Sequence, residues 1–347
     1  MATDADAQEL AALRTLSASI GRDPHLTQAA GGNTSLKAGE TLWIKASGTW
    51  LKDALAKDIM VPVAISPLLS AVGQRDPAAD RPQGFAIEAL NPRGLRPSIE
   101  TTVHALMPQR VVLHVHCVDT ISLAIQADGE AEVARRLDGL EWAYVPYRRP
   151  GLPLAQGIAE RLRPGVDVLI LGNHGLVVAA ETVADAEVLL RRVTRLLARS
   201  PRKVAEPDSA ALTALAGSTG YRLPADVEAH AAAIDPESCS MASGGSLYPD
   251  HVIFLGRGSV VARPNEDVKR ITQRCSTAPV AILFPGLGVL MRGDANAGAE
   301  AMQRCLADVT ARVDATARLN YLTDAENDEL INWDAEQYRQ KLNAAGS

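Results

Sequence analysis

What this sequence lacks narrows its class before any motif is read. It holds four cysteines, Cys117, Cys239, Cys275 and Cys305, widely spaced and with no Cys-x-x-Cys pair. That excludes a disulfide framework and a cysteine-type zinc site, and predicts reduced core thiols in a cytoplasmic protein. No apolar run approaches the roughly 20 residues that span a bilayer, so no membrane partner is expected. The first residues, Met1 to Asp6, are acidic with no apolar stretch behind them, which does not read as a signal peptide. No dense run of Lys or Arg stands out and the net charge is −6, which argues against nucleic acid as a partner. No Gly-x-Gly-x-x-Gly dinucleotide fingerprint is found either.

What is present is ordinary globular composition: 347 residues, 47% hydrophobic and 22% charged, enough for one large domain or two smaller ones. The stretch Val111-Val112-Leu113-His114-Val115-His116-Cys117 reads as a buried strand. Side chains alternate across a strand, so His114 and His116 face the same way. Two imidazoles buried side by side need a shared polar partner, and a divalent cation supplies one. Downstream, Asp167 to Leu171 reads as a strand that delivers Gly172-Asn173-His174-Gly175, where a tight turn places a third imidazole at a strand end. Three histidines with a fourth position open are the pattern of a catalytic zinc centre.

Upstream lies Pro97-Ser98-Ile99-Glu100. Ser98 sits where a helix N-cap is expected, and Glu100 and His104 share a face of the helix that follows. Glu100 suits two roles, a first-turn carboxylate favouring the helix dipole or a base beside a metal. His104 is the rival ligand, whereas His25, His230 and His251 read as structural or exposed. Ala29-Ala30-Gly31-Gly32-Asn33-Thr34-Ser35 reads as a plain hairpin turn, or as a loop whose backbone approaches a ligand closely.

The remaining pattern predicts a helix over 6–21, strands over 41–45 and 58–65, and a long loop with one short helix over 66–96. Helices are expected over 130–139, 153–163 and 183–199, with strands at 142–146 and 176–180. Residues 201–249 are rich in Ala, Ser, Pro and Gly and read as a connector with helix potential at 210–215 and 225–234. Beyond it, strands are expected at 251–255, 281–284 and 289–291, and helices at 296–317 and 325–342. Residues 167–199 align with 280–312 at a constant offset: Gly175 falls on Gly288, Glu187 on Glu300 and Arg191 on Arg304, whereas His174 falls on Leu287. The C-terminal region thus reads as a partial repeat without its metal ligand, or as an unrelated unit of the same shape.

Over roughly residues 8–200 the chain resembles the zinc-dependent class II aldolase/adducin family. The resemblance rests on Gly32-Asn33-Thr34-Ser35, Ala46-Ser47-Gly48, Pro97-Ser98-Ile99-Glu100, His114-Val115-His116 and Gly172-Asn173-His174-Gly175, in that order. It is nearest to the aldolase half of bacterial bifunctional rhamnulose-phosphate aldolase/dehydrogenases, although too little chain remains for a complete dehydrogenase. The resemblance implies a three-layer αβα fold with a mainly antiparallel sheet over residues 1–200, followed by the 201–249 connector and a smaller α/β region at 250–347. It implies zinc or another divalent metal on His114, His116 and His174, Glu100 as acid/base, and a phosphate pocket from Asn33, Ser47, Gly48 and Ser98. Ile99 departs from the small hydroxyl residue that sugar-phosphate members often carry before the glutamate. The implied activity is cleavage of a ketose phosphate or sugar-acid derivative through a metal-stabilised enediolate, in a cytoplasmic homotetramer. Epimerase or decarboxylase chemistry on the same centre, or a non-catalytic adducin-like interaction module, are the alternatives.

Overall fold

Residues 111–115 are buried on both faces of their strand, which requires a layer of helices on each side. The computed structural model describes residues 3–334 and 338, and both layers are in it. The strands of the first half are β1 (Asn33–Ala38), β2 (Thr41–Lys45), β3 (Met60–Ala64), β4 (Val111–Val115), β5 (Trp142–Val145), β6 (Val168–Leu171) and β7 (Gly175–Ala180). They form one mixed sheet in the order β3-β2-β1-β4-β7-β6-β5, and every neighbouring pair is antiparallel except β5 with β6.

The helices of this half are α1 (Asp4–Ile20), α2 (Ile65–Gly73), α3 (Thr101–Leu106), α4 (Val118–Ala124), α5 (Gly129–Arg136), α6 (Leu152–Ala159) and α7 (Val183–Leu197). The strand period sorts them. Val111, Leu113 and Val115 of β4 pack in a core with α1, α4, α5 and α7, while Val112 packs with α3 and α6. The result is the three-layer αβα arrangement, with His114 on the α3 side. Side chains cap the long helices: Thr3 and Asp6 form a reciprocal capping box on α1, and the Thr182 hydroxyl accepts from the Asp185 N–H on α7.

The second half holds α8 (Ser209–Ala216), β8 (Tyr221–Arg222), α9 (Ala231–Ile234), α10 (Pro236–Ser243), α11 (Pro249–Leu255), β9 (Val260–Val261), α12 (Val268–Arg274), β10 (Ala281–Phe284), β11 (Gly288–Arg292), α13 (Ala297–Thr310) and α14 (Asp324–Ile331). Its strands form a second sheet in the order β8-β11-β10-β9, with only β9 and β10 parallel. Strand β8 lies within the stretch read as a connector, so this sheet draws on both 201–249 and 250–347.

Two stretches differ from expectation, residues 251–255 and the C-terminal helices, and one agrees. Residues 251–255 are helical, within α11, where a strand was expected; every residue of α11 is buried, so no polar face marks the helical period. The 66–96 stretch agrees with a long loop carrying one short helix: it opens with the nine-residue α2 and continues in short 3₁₀ turns. Helix α13 stops at Thr310, short of 317, and the expected helix over 325–342 is described only as far as α14 and its next few residues.

Candidate metal centre

Four elements converge on one buried point. Strand β4 supplies His114, and His116 follows directly after it. The β6–β7 turn supplies His174, and the residue preceding α3 supplies Glu100. Glu100 is the N-cap residue of α3; Ser98 lies two residues earlier, and its hydroxyl accepts from the Glu100 N–H at 3.2 Å. The turn is tight because Asn173 takes a left-handed conformation at φ 52°. Gly175 then lies so close to β4 that a Cβ there would sit 2.5 Å from the Val115 carbonyl oxygen.

The facing atoms are close. His114 Nε2 lies 3.2 Å from His116 Nε2 and 3.5 Å from Glu100 Oε2, and His174 Nε2 lies 3.4 Å from Glu100 Oε1. The three rings stand edge to face, with centroids 4.9–5.1 Å apart. His114 Nδ1 donates to the Leu176 carbonyl at 3.0 Å, which leaves its Nε2 lone pair aimed inward. His116 Nδ1 faces Asp250 Oδ2 at 3.1 Å. All four inward residues are buried.

The electrostatics call for a cation. Burial pushes His114 below its ordinary range and His174 down to about 3, so these imidazoles are neutral. Burial alone would raise Glu100, but in acid, where His114, His174, His116 and His104 gain protons, their charge outweighs it and holds the carboxyl at about 2, so Glu100 is anionic at neutral pH. The Asn33 amide also donates to Glu100 Oε2 at 2.7 Å. Lone pairs and a carboxylate therefore face one another, and Glu100 Oε1 and His174 Nδ1 have no hydrogen-bond partner among the described residues. Ligands about 2.0–2.1 Å from a tetrahedral zinc ion lie about 3.3–3.4 Å from each other. Three of the six pairs, at 3.2–3.5 Å, match that spacing, and all four ligand atoms lie within 4.8 Å of one another.

The remaining predicted residues divide into two groups. Asn33, opposite His114 in the β1–β4 register, and Ser98 both touch Glu100. Ser47 instead lines a neighbouring cleft of about 540 Å³ with Pro97, Ile99, Arg81, Arg96 and Arg149, and Gly48 is buried in the turn beside it. His104 turns away from the cluster, its Nδ1 2.7 Å from the Ser35 hydroxyl, and is no ligand in this arrangement. His25 faces Asp308, while His230 and His251 accept backbone N–H groups from Val289 and Leu247.

Two further residues at the site, Lys45 and Asp250, stand in no recognisable motif. Lys45 is fully buried, and its Nζ donates to the Ala30 and Thr49 carbonyls at 2.9 and 2.7 Å. It ties the Gly31-Gly32 loop to the turn holding Ser47 and Gly48. Its only sequence signal was a lysine closing an apolar strand. Asp250 gave no signal, since it lies far along the chain and meets His116 only through the tertiary fold.

A fold and site of this kind define a class. The family of the class II aldolase and adducin N-terminal domain matches residues 12–198, and the chain belongs to that family. It is also similar to the uncharacterized oxidoreductase YuxG of Bacillus subtilis, 33% identical over 177 residues. That match covers 47% of this chain but only 25% of the relative, so the chain spans about a quarter of that protein's length. Among solved structures, it resembles the N-terminal class II aldolase domain of a conserved Thermoplasma acidophilum protein at 25% identity and TM-score 0.48, over 57% of this chain and 94% of that one. It also resembles L-fuculose-1-phosphate aldolase of Thermus thermophilus at 19% identity and TM-score 0.39, over 55% and 92% of the two chains.

Proposed function

We propose that this protein is a divalent-metal-dependent lyase of the aldolase type, with zinc on His114, His116 and His174, that cleaves a ketose phosphate or sugar-acid derivative. The observation that carries this reading is the Glu100 carboxylate, held within 3.5 Å of two inward imidazole nitrogens in a buried site. A metal ion held there supplies Lewis-acid stabilisation of negative charge developing on substrate oxygens. The protein's own residues do the rest. Glu100 is anionic and accepts a proton at Oε1, the oxygen without a hydrogen-bond partner among the described residues, then returns it to substrate. Asn33 holds the other oxygen and fixes the carboxylate plane. Ser98 holds the backbone that carries it. The apolar frame of β4 and β7 limits water at the reacting atoms.

Arg81 and Arg96, beside Ser47 and Ile99 in the cleft, support an anionic substrate tail, whereas Arg149 there is paired with Asp80 and Glu329. Asn33 and Ser98 hold Glu100 and, in this reading, border the phosphate pocket together with Ser47 and Gly48. The family resemblance further supports a homotetramer acting in the cytoplasm on carbohydrate substrates. The test is a panel of ketose phosphates and sugar acids, with release of a short carbonyl product as the readout. Cleavage should disappear with a chelator and return with zinc. Glu100→Gln should lower the rate about 10²–10⁴-fold. Glu100→Gln turning over like wild type would rule out the acid/base role.

A further inference from the structure

The two sheets share more than their strand order. Every β6–β7 pair recurs in β10–β11 at an offset of 113: Val168 opposite Val178 becomes Ala281 opposite Met291, and Leu171 opposite Gly175 becomes Phe284 opposite Gly288. The hydrogen bond from the Ala179 N–H to the Asp167 carbonyl recurs from Arg292 to Val280, and that from His174 to Leu171 recurs from Leu287 to Phe284. Asn173 and Gly286 both have positive φ. The β4 side follows at an offset of 109. Val112 opposite Ala179 becomes Tyr221 opposite Arg292, and the bond from the Asn173 N–H to Ala124 recurs from Gly286 to Ala233. At these offsets Glu100, His114, His116 and His174 fall on Ser209, Leu223, Ala225 and Leu287. The ligand set has no counterpart in the second half.

The second half also contains something the first does not. Ala143 pairs with Leu169 where Val260 pairs with Ile282. Ala143 lies 19 positions after Ala124, and their counterparts Val260 and Ala233 are 27 positions apart. Most of the extra length is the seven-residue α11, Pro249–Leu255, which has no partner helix in the first half. It is this helix that brings Asp250 to His116. The approach is tight: a Cβ on Gly31 would lie 2.6 Å from His116 Nδ1 and 2.9 Å from Asp250 Oδ2. The same half also holds the His174 turn, because the Asn173 amide donates to the Leu247 and Asn320 carbonyls at 2.9 and 2.6 Å.

We propose that the C-terminal half is a degenerate copy of residues 101–197 that has become a support for the metal centre, and that Asp250, on its inserted helix, is a positioning residue for His116. Asp250 Oδ2 stands 3.1 Å from His116 Nδ1 as a close contact rather than an aligned hydrogen bond, and a small turn of the ring lets it accept the Nδ1 proton, restrain the ring and leave Nε2 as the free lone pair. A carboxylate behind a metal-binding imidazole raises its basicity and restricts its rotation, and losing one costs about 10–100-fold in metal affinity. This inference rests on the metal reading above.

The experiment uses the full chain and cobalt(II) as the probe. Titration followed by visible absorption gives affinity for wild type, Asp250→Asn and Asp250→Ala. Histidine ¹⁵N NMR of metal-free wild type gives the His116 tautomer at neutral pH. The expected results are one cobalt per chain, 10–100-fold weaker binding in both variants with unchanged thermal unfolding, and a wild-type His116 carrying its proton on Nδ1. Wild-type binding with unweakened variants would overturn the role of Asp250 and leave the metal centre standing. A wild-type His116 protonated on Nε2 would overturn it even if neither variant folds. A wild type that binds no cobalt would overturn both readings together.

Discussion

At the scale of single residues, the site is built from groups whose preferred protonation leaves them short of a positive charge. The same burial has a cost away from neutral pH. Burial lowers His104 and His174 to about 3 and His251 to about 4. In the unfolded chain these imidazoles take up protons near pH 6.5, while the folded state keeps them neutral. Stability from these groups is therefore full above about pH 6.5 and falls as pH drops towards 4, by about 1.4 kcal/mol per pH unit for each such proton. Glu100 acts in the same sense at lower pH, because its folded value of about 2 lies below its ordinary one. Thermal unfolding of the metal-free protein at pH 7, 6 and 5 should show a steepening decline. A flat profile over that range would contradict the assignment of neutral buried histidines.

At the scale of elements, the β6–β7 turn decides where His174 sits, and Gly175 decides how closely that turn approaches β4. Gly175→Ala would drive a methyl to 2.5 Å from the Val115 carbonyl and 3.4 Å from His114 Cε1. The strand pair must open, so the variant should lose about 1–3 kcal/mol of stability and bind metal more weakly. Equal stability in denaturant titration and equal metal affinity would refute this packing. This element was legible in the sequence because its signals are local. An apolar run, a Gly-Asn-His-Gly turn and a second apolar run state both the strands and the ligand. The His114–His116 pair was legible for the same reason, as alternation on one strand. Helix α11 was not. Val-Ile-Phe-Leu after His251 is an apolar run, and a helix buried on every side carries no period to read. Asp250 was hidden with it, since its meaning lies in a contact between residues 116 and 250 that no spacing encodes.

At the scale of the whole molecule, the two halves share a core. Val118, Ile121 and Ile125, on α4 and at its C-cap, pack in one cluster with Met302, Leu306 and Val309 of α13. A chain cut after residue 200 would expose that face, at roughly 1.5–3 kcal/mol for each large side chain, and would remove the groups that hold His116 and Asn173. It should aggregate, or bind metal weakly if it stays in solution. A soluble, fully active fragment with the oligomeric size of the intact protein, seen by gel filtration, would contradict a supporting role for the second half. The sequence repeat pointed to this half, but only pairing registers tie it to the first strand by strand. Single-residue matches among alanine-rich helices arise too easily to do so.

The central claim is the three-histidine metal centre, and the most direct measurement is the metal content of the purified protein beside His114→Ala and His174→Ala. Close to one divalent ion per chain, lost in both folded variants, is the expected result. No stoichiometric metal in the wild type, with both variants folding as it does, would make these histidines core residues and leave Glu100 without a cation to work beside.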